Sequence, residues 1–288
     1  MRRFLILSLL SFSFLACNDD KTEVVDDFFP EDWIGGTCGA LFGLPTSNTG
    51  LSSEYCQPSC NCDGMDFVEP EYTQEDFDWL KSRTLLTVPE ELTYDPYEDK
   101  DQYSDAPTTE VCAFIDDEED PNGYHIQTYR DDAEAAAAGA QVTHYGPCGL
   151  CSSFEDLVVY LSKPDLTNPV RQCGFEGLRA PAEEQEAVTR ACLEEIGFSE
   201  PCANIWYYNV SHTRTVCMAD CIMLLNAPLH TPDGQLNACI QCDEDRSGPV
   251  FKTVAGRTRR NSGLATALCR PCDEVSPIDH RYGNVAPE

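Results

Sequence analysis

An α+β fold, disulfide-rich, with a small central β-region packed with several helices, is what this sequence predicts. Three observations carry that expectation. Short alternating segments gather between residues 110 and 145, helical periodicity dominates from residue 153 onward, and 17 cysteines are spread over 288 residues.

The elements follow in order. Gln74–Ser82 reads as a helix with Thr73 as N-cap and Asp76 three residues on, a capping-box pattern. Glu110–Ile115 reads as a strand, Asp116–Gly123 (DDEEDPNG) as a turn, and Tyr124–Tyr129 as a second strand with Tyr124, Ile126 and Thr128 on one face. Asp131–Ala138 is a short helix, acidic at its start and stopped by Gly139. Gln141–Tyr145 is a third strand. A helix from Ser153 to Leu161 follows, with Ser152 and Glu155 as its capping box. Pro181 opens another helix that Gly197 ends. A long helix from Glu200 to Leu225 aligns Cys202, Ile205, Trp206, Asn209, Thr213, Cys217, Cys221 and Leu224 along one face. The last helix runs from Val250 to Arg260.

Composition sets the compartment. Arg2 and Arg3 precede an apolar run, Phe4–Leu15, too short to span a bilayer and suited to a secretory signal over residues 1–16. Phe14-Leu15-Ala16-Cys17 resembles the lipobox of bacterial lipoproteins, which implies lipidation of Cys17 and an extracytoplasmic, membrane-anchored protein on a periplasmic or cell-surface face. Setting Cys17 aside leaves 16 cysteines, an even number, expected to form up to eight disulfides in an oxidising compartment.

Residues 17–30 read as an acidic tether, 31–105 as an irregular, acidic, Cys-containing region, 106–275 as a disulfide-stapled α+β domain and 276–288 as a tail. Charge is uneven along the chain. Residues 18–135 hold 31 acidic and 5 basic side chains, whereas residues 136–288 hold 19 and 12. A net charge of −31 argues against nucleic acid as a partner, because an acidic surface repels phosphate. Glycine and proline, at 18 and 19, exclude a collagen-like chain.

Four groupings carry candidate chemistry. Cys148-Gly-Leu-Cys151 at a helix start, with His144 upstream, suits either structural disulfides or a thiol–disulfide oxidoreductase with Cys148 as nucleophile and Cys151 as resolving thiol. Cys239, Cys242, Cys269 and Cys272 have the spacing of two zinc knuckles, an assignment that holds only if they are not disulfide-bonded. Lys252, Arg257, Arg259 and Arg260 concentrate positive charge, suited to a small anion or to pairing with Asp243, Glu244 and Asp245. Asp116, Glu118, Asp120 and Asn122 alternate oxygens as calcium loops do, although Pro121 stands where an EF-hand needs glycine. No cofactor is predicted; Ca²⁺ and Zn²⁺ are the metals these spacings would admit. Beside Trp206 on the long helix, Asn209, His212 and Arg214 read by default as amphipathic helix surface, with a polar pocket shaped by Asn209 and Arg214 as the alternative.

The segments HYGPCGLCSSFEDLVVYLSKPDLTNPV and CDEDRSGPVFKTVAGRTRRNSGL resemble an uncharacterised family of cysteine-rich secreted proteins of microbial eukaryotes, over roughly residues 110–275. The resemblance implies a compartment and no activity. The sequence therefore leads to a binding or structural module outside the cytoplasm, with a small anion or a protein as partner and the redox enzyme or a Zn²⁺- or Ca²⁺-binding protein as alternatives.

Overall fold

The computed structural model describes residues 48–50, 61–62, 65–66, 70–87, 91–99, 103, 108–264, 266–268 and 275–284. The leader, Cys17, the tether, much of the 31–105 region, and Cys269 and Cys272 lie outside the described residues. A two-stranded ribbon pairs β1 (Asn61–Cys62) with β2 (Met65–Asp66). A four-stranded mixed sheet has the order β3 (Thr84–Leu85), β5 (Gly123–Tyr129), β4 (Val111–Asp116), β6 (Gln141–Tyr145). β3 is parallel to β5, and the other pairings are antiparallel. The helices are α1 (Gln74–Ser82), α2 (Asp132–Ala137), α3 (Phe154–Ser162), α4 (Thr167–Arg179), α5 (Gln185–Ile196), α6 (Glu200–Cys221), α7 (Ala238–Arg246) and α8 (Gly248–Ala255).

β4 has partners on both sides, and its first four residues are buried. Alternation sends Val111 and Ala113 to one face, under Ala135 of α2. Phe114 goes to the other, where α1 and α3 cover the sheet. There Tyr124 stacks on Phe154 at 4.2 Å, and Phe114 meets Phe154 and Tyr282 edge-on at 4.8 Å. Each such burial contributes about 1.5–3 kcal/mol. Tyr282 and His280 belong to residues expected as a tail, yet both are buried, and His280 Nε2 donates to Ser262 O at 2.7 Å.

The capping box of α1 forms as read: Thr73 caps the helix, and Asp76 accepts from Thr73 N at 2.7 Å. α3 is capped one residue later than expected, by Ser153 Oγ accepting from Asp156 N at 3.0 Å, without the reciprocal bond of a capping box. Ser152 is spent elsewhere, donating to His144 Nε2 at 2.7 Å and accepting from Gly149 N at 2.8 Å. Asp156 also accepts from Ser199 N and Oγ, each at 2.9 Å, so one buried carboxylate joins the starts of α3 and α6.

Two helices run where none was expected. α4 contains Gly174 and Gly177, which weaken helical propensity. They serve contact instead: a Cβ on Gly174 would lie 2.8 Å from Val210 Cγ1, and one on Gly177 would lie 2.0 Å from Thr189 Oγ1. α7 is capped by Asn237, whose side chain accepts from Ile240 N at 3.0 Å. α5 starts at Gln185, after a turn at Pro181, and Gly197 closes it at φ 115°. α8 stops at Ala255 rather than Arg260, because Gly256 turns the chain at φ 74°. A Cβ at Gly256 would lie 2.4 Å from Gly149 N, so this turn abuts the Cys148–Cys151 loop. Leu150 N and Cys151 N donate to Val254 O and Ala255 O at 3.0 and 2.8 Å, satisfying carbonyls that a helix end leaves open.

Arg257 follows that turn and is 0 % exposed. Its guanidinium donates to Thr143 O (2.8 Å), Thr143 Oγ1 (2.6 Å), Cys151 O (3.2 Å) and Ser152 O (3.1 Å). It thereby ties β6 and the Cys148–Cys151 loop to the chain leaving α8.

The ten cysteines from Cys112 to Cys242 form five disulfides. Cys112–Cys148 and Cys151–Cys202 fix the loop to β4 and α6, Cys173–Cys192 staples α4 to α5, and Cys217–Cys242 and Cys221–Cys239 staple α6 to α7. Among the described residues no helix is long and apolar enough to cross a membrane.

Three outcomes test this account. Arg257→Met removes donors from three buried carbonyls and should cost about 3 kcal/mol or more in urea unfolding of the oxidised protein. Replacing Cys151 and Cys202 together by Ala frees a link of sequence separation 51 and should lower stability by about 4 kcal/mol.

The third outcome concerns pH. Burial pushes Asp156 up to about 6 from 3.8, so the folded state holds that proton longer than the unfolded chain. Stability from this group is full below about pH 4 and falls as pH rises through 6, by roughly 3 kcal/mol. Asp243, also pushed up to about 6, acts in the same direction. His280, pushed down to about 3, and His144, held low by burial and Arg257, act in the opposite direction, withdrawing stability as pH falls below about 6.5. Asp156→Asn should therefore lose more stability than the parent protein when urea midpoints at pH 7 and pH 4.5 are compared.

Candidate functional site

A cavity of about 340 Å³ opens among α4, α6, α7 and α8 and the segments flanking them. Its shape follows from the sequence. Gly174 brings α4 against Val210 of α6, and the paired disulfides at the end of α6 fix α7 beside it. Leu166, Val170, Val210, Ile240 and Phe251 supply much of its apolar wall. This volume and lining suit a small-molecule site.

Polar groups converge on the wall. Asp243 hydrogen-bonds Thr213 Oγ1, and burial pushes its pKa up to about 6. Thr213 also meets Ser247 Oγ at 2.7 Å. Behind this pair, Tyr97 donates to Asn209 Oδ1 at 2.8 Å and stacks on His212 with ring centroids 4.2 Å apart. His212 thus faces Tyr97, while Asn209 and Arg214 line the cavity. Glu244 receives Arg260 at 3.1 Å and Lys252 at 3.9 Å. Arg171 donates to Leu225 O at 2.7 Å. Tyr160 and Trp206 also line the cavity, with the Tyr160 hydroxyl and Trp206 Nε1 buried against each other.

The basic segment divides. Arg257 lies in the core, already saturated by carbonyls, and is corrected from ligand contact to structural clamp. Arg259 donates to Tyr160 O at 2.8 Å and to Lys163 O, with its guanidinium 5.3 Å from the Tyr160 ring centre. Arg259, Arg260 and Lys252 all line the cavity. Since α8 ends at Ala255, the three arginines follow the helix rather than lying in its last turn.

The redox reading is corrected as well. Cys148 is bonded to Cys112 and Cys151 to Cys202, so the motif holds halves of two bridges rather than one dithiol pair. His144 is 0 % exposed. Its Nδ1 donates to Tyr145 O at 3.0 Å while Nε2 accepts from Ser152, and burial together with the Arg257 charge favours the neutral ring.

The zinc reading required free thiols at Cys239 and Cys242, but they are bonded to Cys221 and Cys217. Cys269 and Cys272 lie outside the described residues. In the acidic turn, Asp117 accepts from Glu119 N and Asp120 N and meets His125 at 3.0 Å, while Asp116 pairs with Arg83. Those carboxylates are turned to protein partners. Among the described residues, no group of three or more His, Cys, Asp or Glu is placed to hold a metal ion.

Sequence reasoning named Asn209 and Arg214 only as an alternative pocket reading and Thr213 only as part of one helix face, and it missed Arg171, Tyr160 and Asp243 as wall residues. The signal for Arg171 was lost with its helix, whose glycines and Pro169 masked the periodicity. Tyr160 and Asp243 become neighbours of the site only through tertiary packing.

Residues 186–278, about a third of the chain, match the model of a family of unknown function (DUF8771). That span takes in α5 to α8 and much of the cavity wall. No curated protein and no solved structure matches the chain. The protein is thus disulfide-rich, with a region similar to a family whose function is unknown.

Proposed function

We propose that this chain is an extracytoplasmic binding module, held to a membrane by lipid on Cys17, that takes a small molecule with apolar surface into the cavity among α4, α6, α7 and α8. The single observation that carries the reading is the cavity itself. It joins apolar walls to a few polar side chains, among them Asp243, Thr213 and Arg214.

Two observations support the location. Five disulfides fit an oxidising compartment. The lipid assignment rests on the Leu15-Ala16-Cys17 pattern and on the even cysteine number left once Cys17 is set aside.

The test uses the oxidised full chain and the neutral apolar dye N-phenylnaphthylamine. The dye should brighten and saturate at one per chain, with a Kd on the order of micromolar. Its approach to Trp206 should quench indole emission. A dye that stays dark at high protein concentration would remove the small-molecule reading. Separately, the exported protein should show a diacylglyceryl mass on its Cys17 peptide; an unmodified cysteine there would remove the anchor.

A further inference from the structure

We infer that the ligand class is an amphiphilic anion: a carboxylate head on an apolar body, with the head held by Arg214. The inference rests on the small-molecule reading above and specifies its chemistry.

The first support is the charge of the wall. Five of the 19 Lys and Arg side chains line the cavity (Arg171, Arg214, Lys252, Arg259 and Arg260), against two of the 50 Asp and Glu (Asp243 and Glu244). A chain of net charge −31 has gathered a net positive lining at one place. The second support is the state of Arg214. It is half-buried and lines the cavity, yet it makes no hydrogen bond or ion pair among the described residues. A guanidinium left unpaired in so acidic a protein has planar donor geometry matched to a carboxylate.

The third support is the apolar character of the remaining wall, which continues to Leu178 and Met218, 41 % and 46 % exposed. A simple inorganic anion would leave that surface uncovered, and a neutral hydrocarbon would leave Arg214 unpaired. An amphiphile satisfies both.

Long-range repulsion does not oppose this. The acidic surface acts over a screening length of about 8 Å at physiological ionic strength, whereas the bound head would lie directly against cations.

The experiment displaces bound N-phenylnaphthylamine from the oxidised full chain with decanoate, decanol or decyltrimethylammonium, which share one tail and differ in head charge. Decanoate should displace the dye at about tenfold lower concentration than decanol, as a charge-assisted hydrogen bond predicts, and the cation should be weakest. Arg214→Gln should bring decanoate and decanol to within about twofold while leaving decanol unchanged, and Arg214→Lys should restore part of the preference. Far-ultraviolet circular dichroism and an unchanged urea-unfolding midpoint establish that the variants are folded. Equal displacement by decanoate and decanol, or a preference that survives Arg214→Gln, would overturn the anionic assignment while leaving the cavity's role intact. Failure of the dye to bind the parent protein would instead sink the underlying reading.

Discussion

One buried guanidinium organises the centre of this molecule. Arg257 brings a positive charge into a region of full burial, which is costly unless every donor is satisfied. It is satisfied mainly by backbone carbonyls, from β6 and from the loop between Cys148 and Ser152, rather than by a carboxylate. Burial lowers its pKa, while nearby Tyr282 and Asp156 oppose that shift. The same charge helps keep His144 neutral, and neutral His144 fixes the Ser152 hydroxyl that receives Gly149 N. The turn after α8, the loop start and the sheet edge are therefore one hydrogen-bonded unit.

Around that unit the covalent links divide the labour with the core. The aromatic cluster of Phe114, Tyr124, Phe154 and Tyr282 holds sheet to helix where the chain supplies large side chains. Toward the end of α6, where large buried side chains give way to Cys217, Cys221, Cys239 and Cys242, sulfur takes over. An acidic chain repels itself when compact. Cross-links answer that by narrowing the unfolded ensemble instead of adding contacts.

The fold was legible where local chemistry decides it. The Thr73 cap, the alternation of Tyr124–Tyr129 and the stop at Gly197 each depend on neighbours within a few residues, and each forms close to where it was read. Legibility failed where a residue answers to distant partners. Gly174 and Gly177 look like helix breakers until Val210 and Thr189 are placed against them. Ser152 looks like a cap until His144 claims its hydroxyl. The reading of the cysteine motifs as structural disulfides holds, but which sulfurs pair was not legible, because each partner is brought close only by the tertiary fold. Of the site, the α6 face was readable from its period. The Arg257 clamp was not, because nothing in an arginine-rich segment says which member turns inward.

The twin links between α6 and α7 have a consequence of their own. Cys217–Cys242 and Cys221–Cys239 bind one turn of α6 to one turn of α7 at two points, so neither helix can slide or rotate past the other. Cys221 and Cys239 also lie on the cavity wall. Were the cavity to bind as proposed, it would act there as a cast rather than a glove: molecules would be sorted by whether they already fit, and little ordering of the protein would be left to oppose those that do.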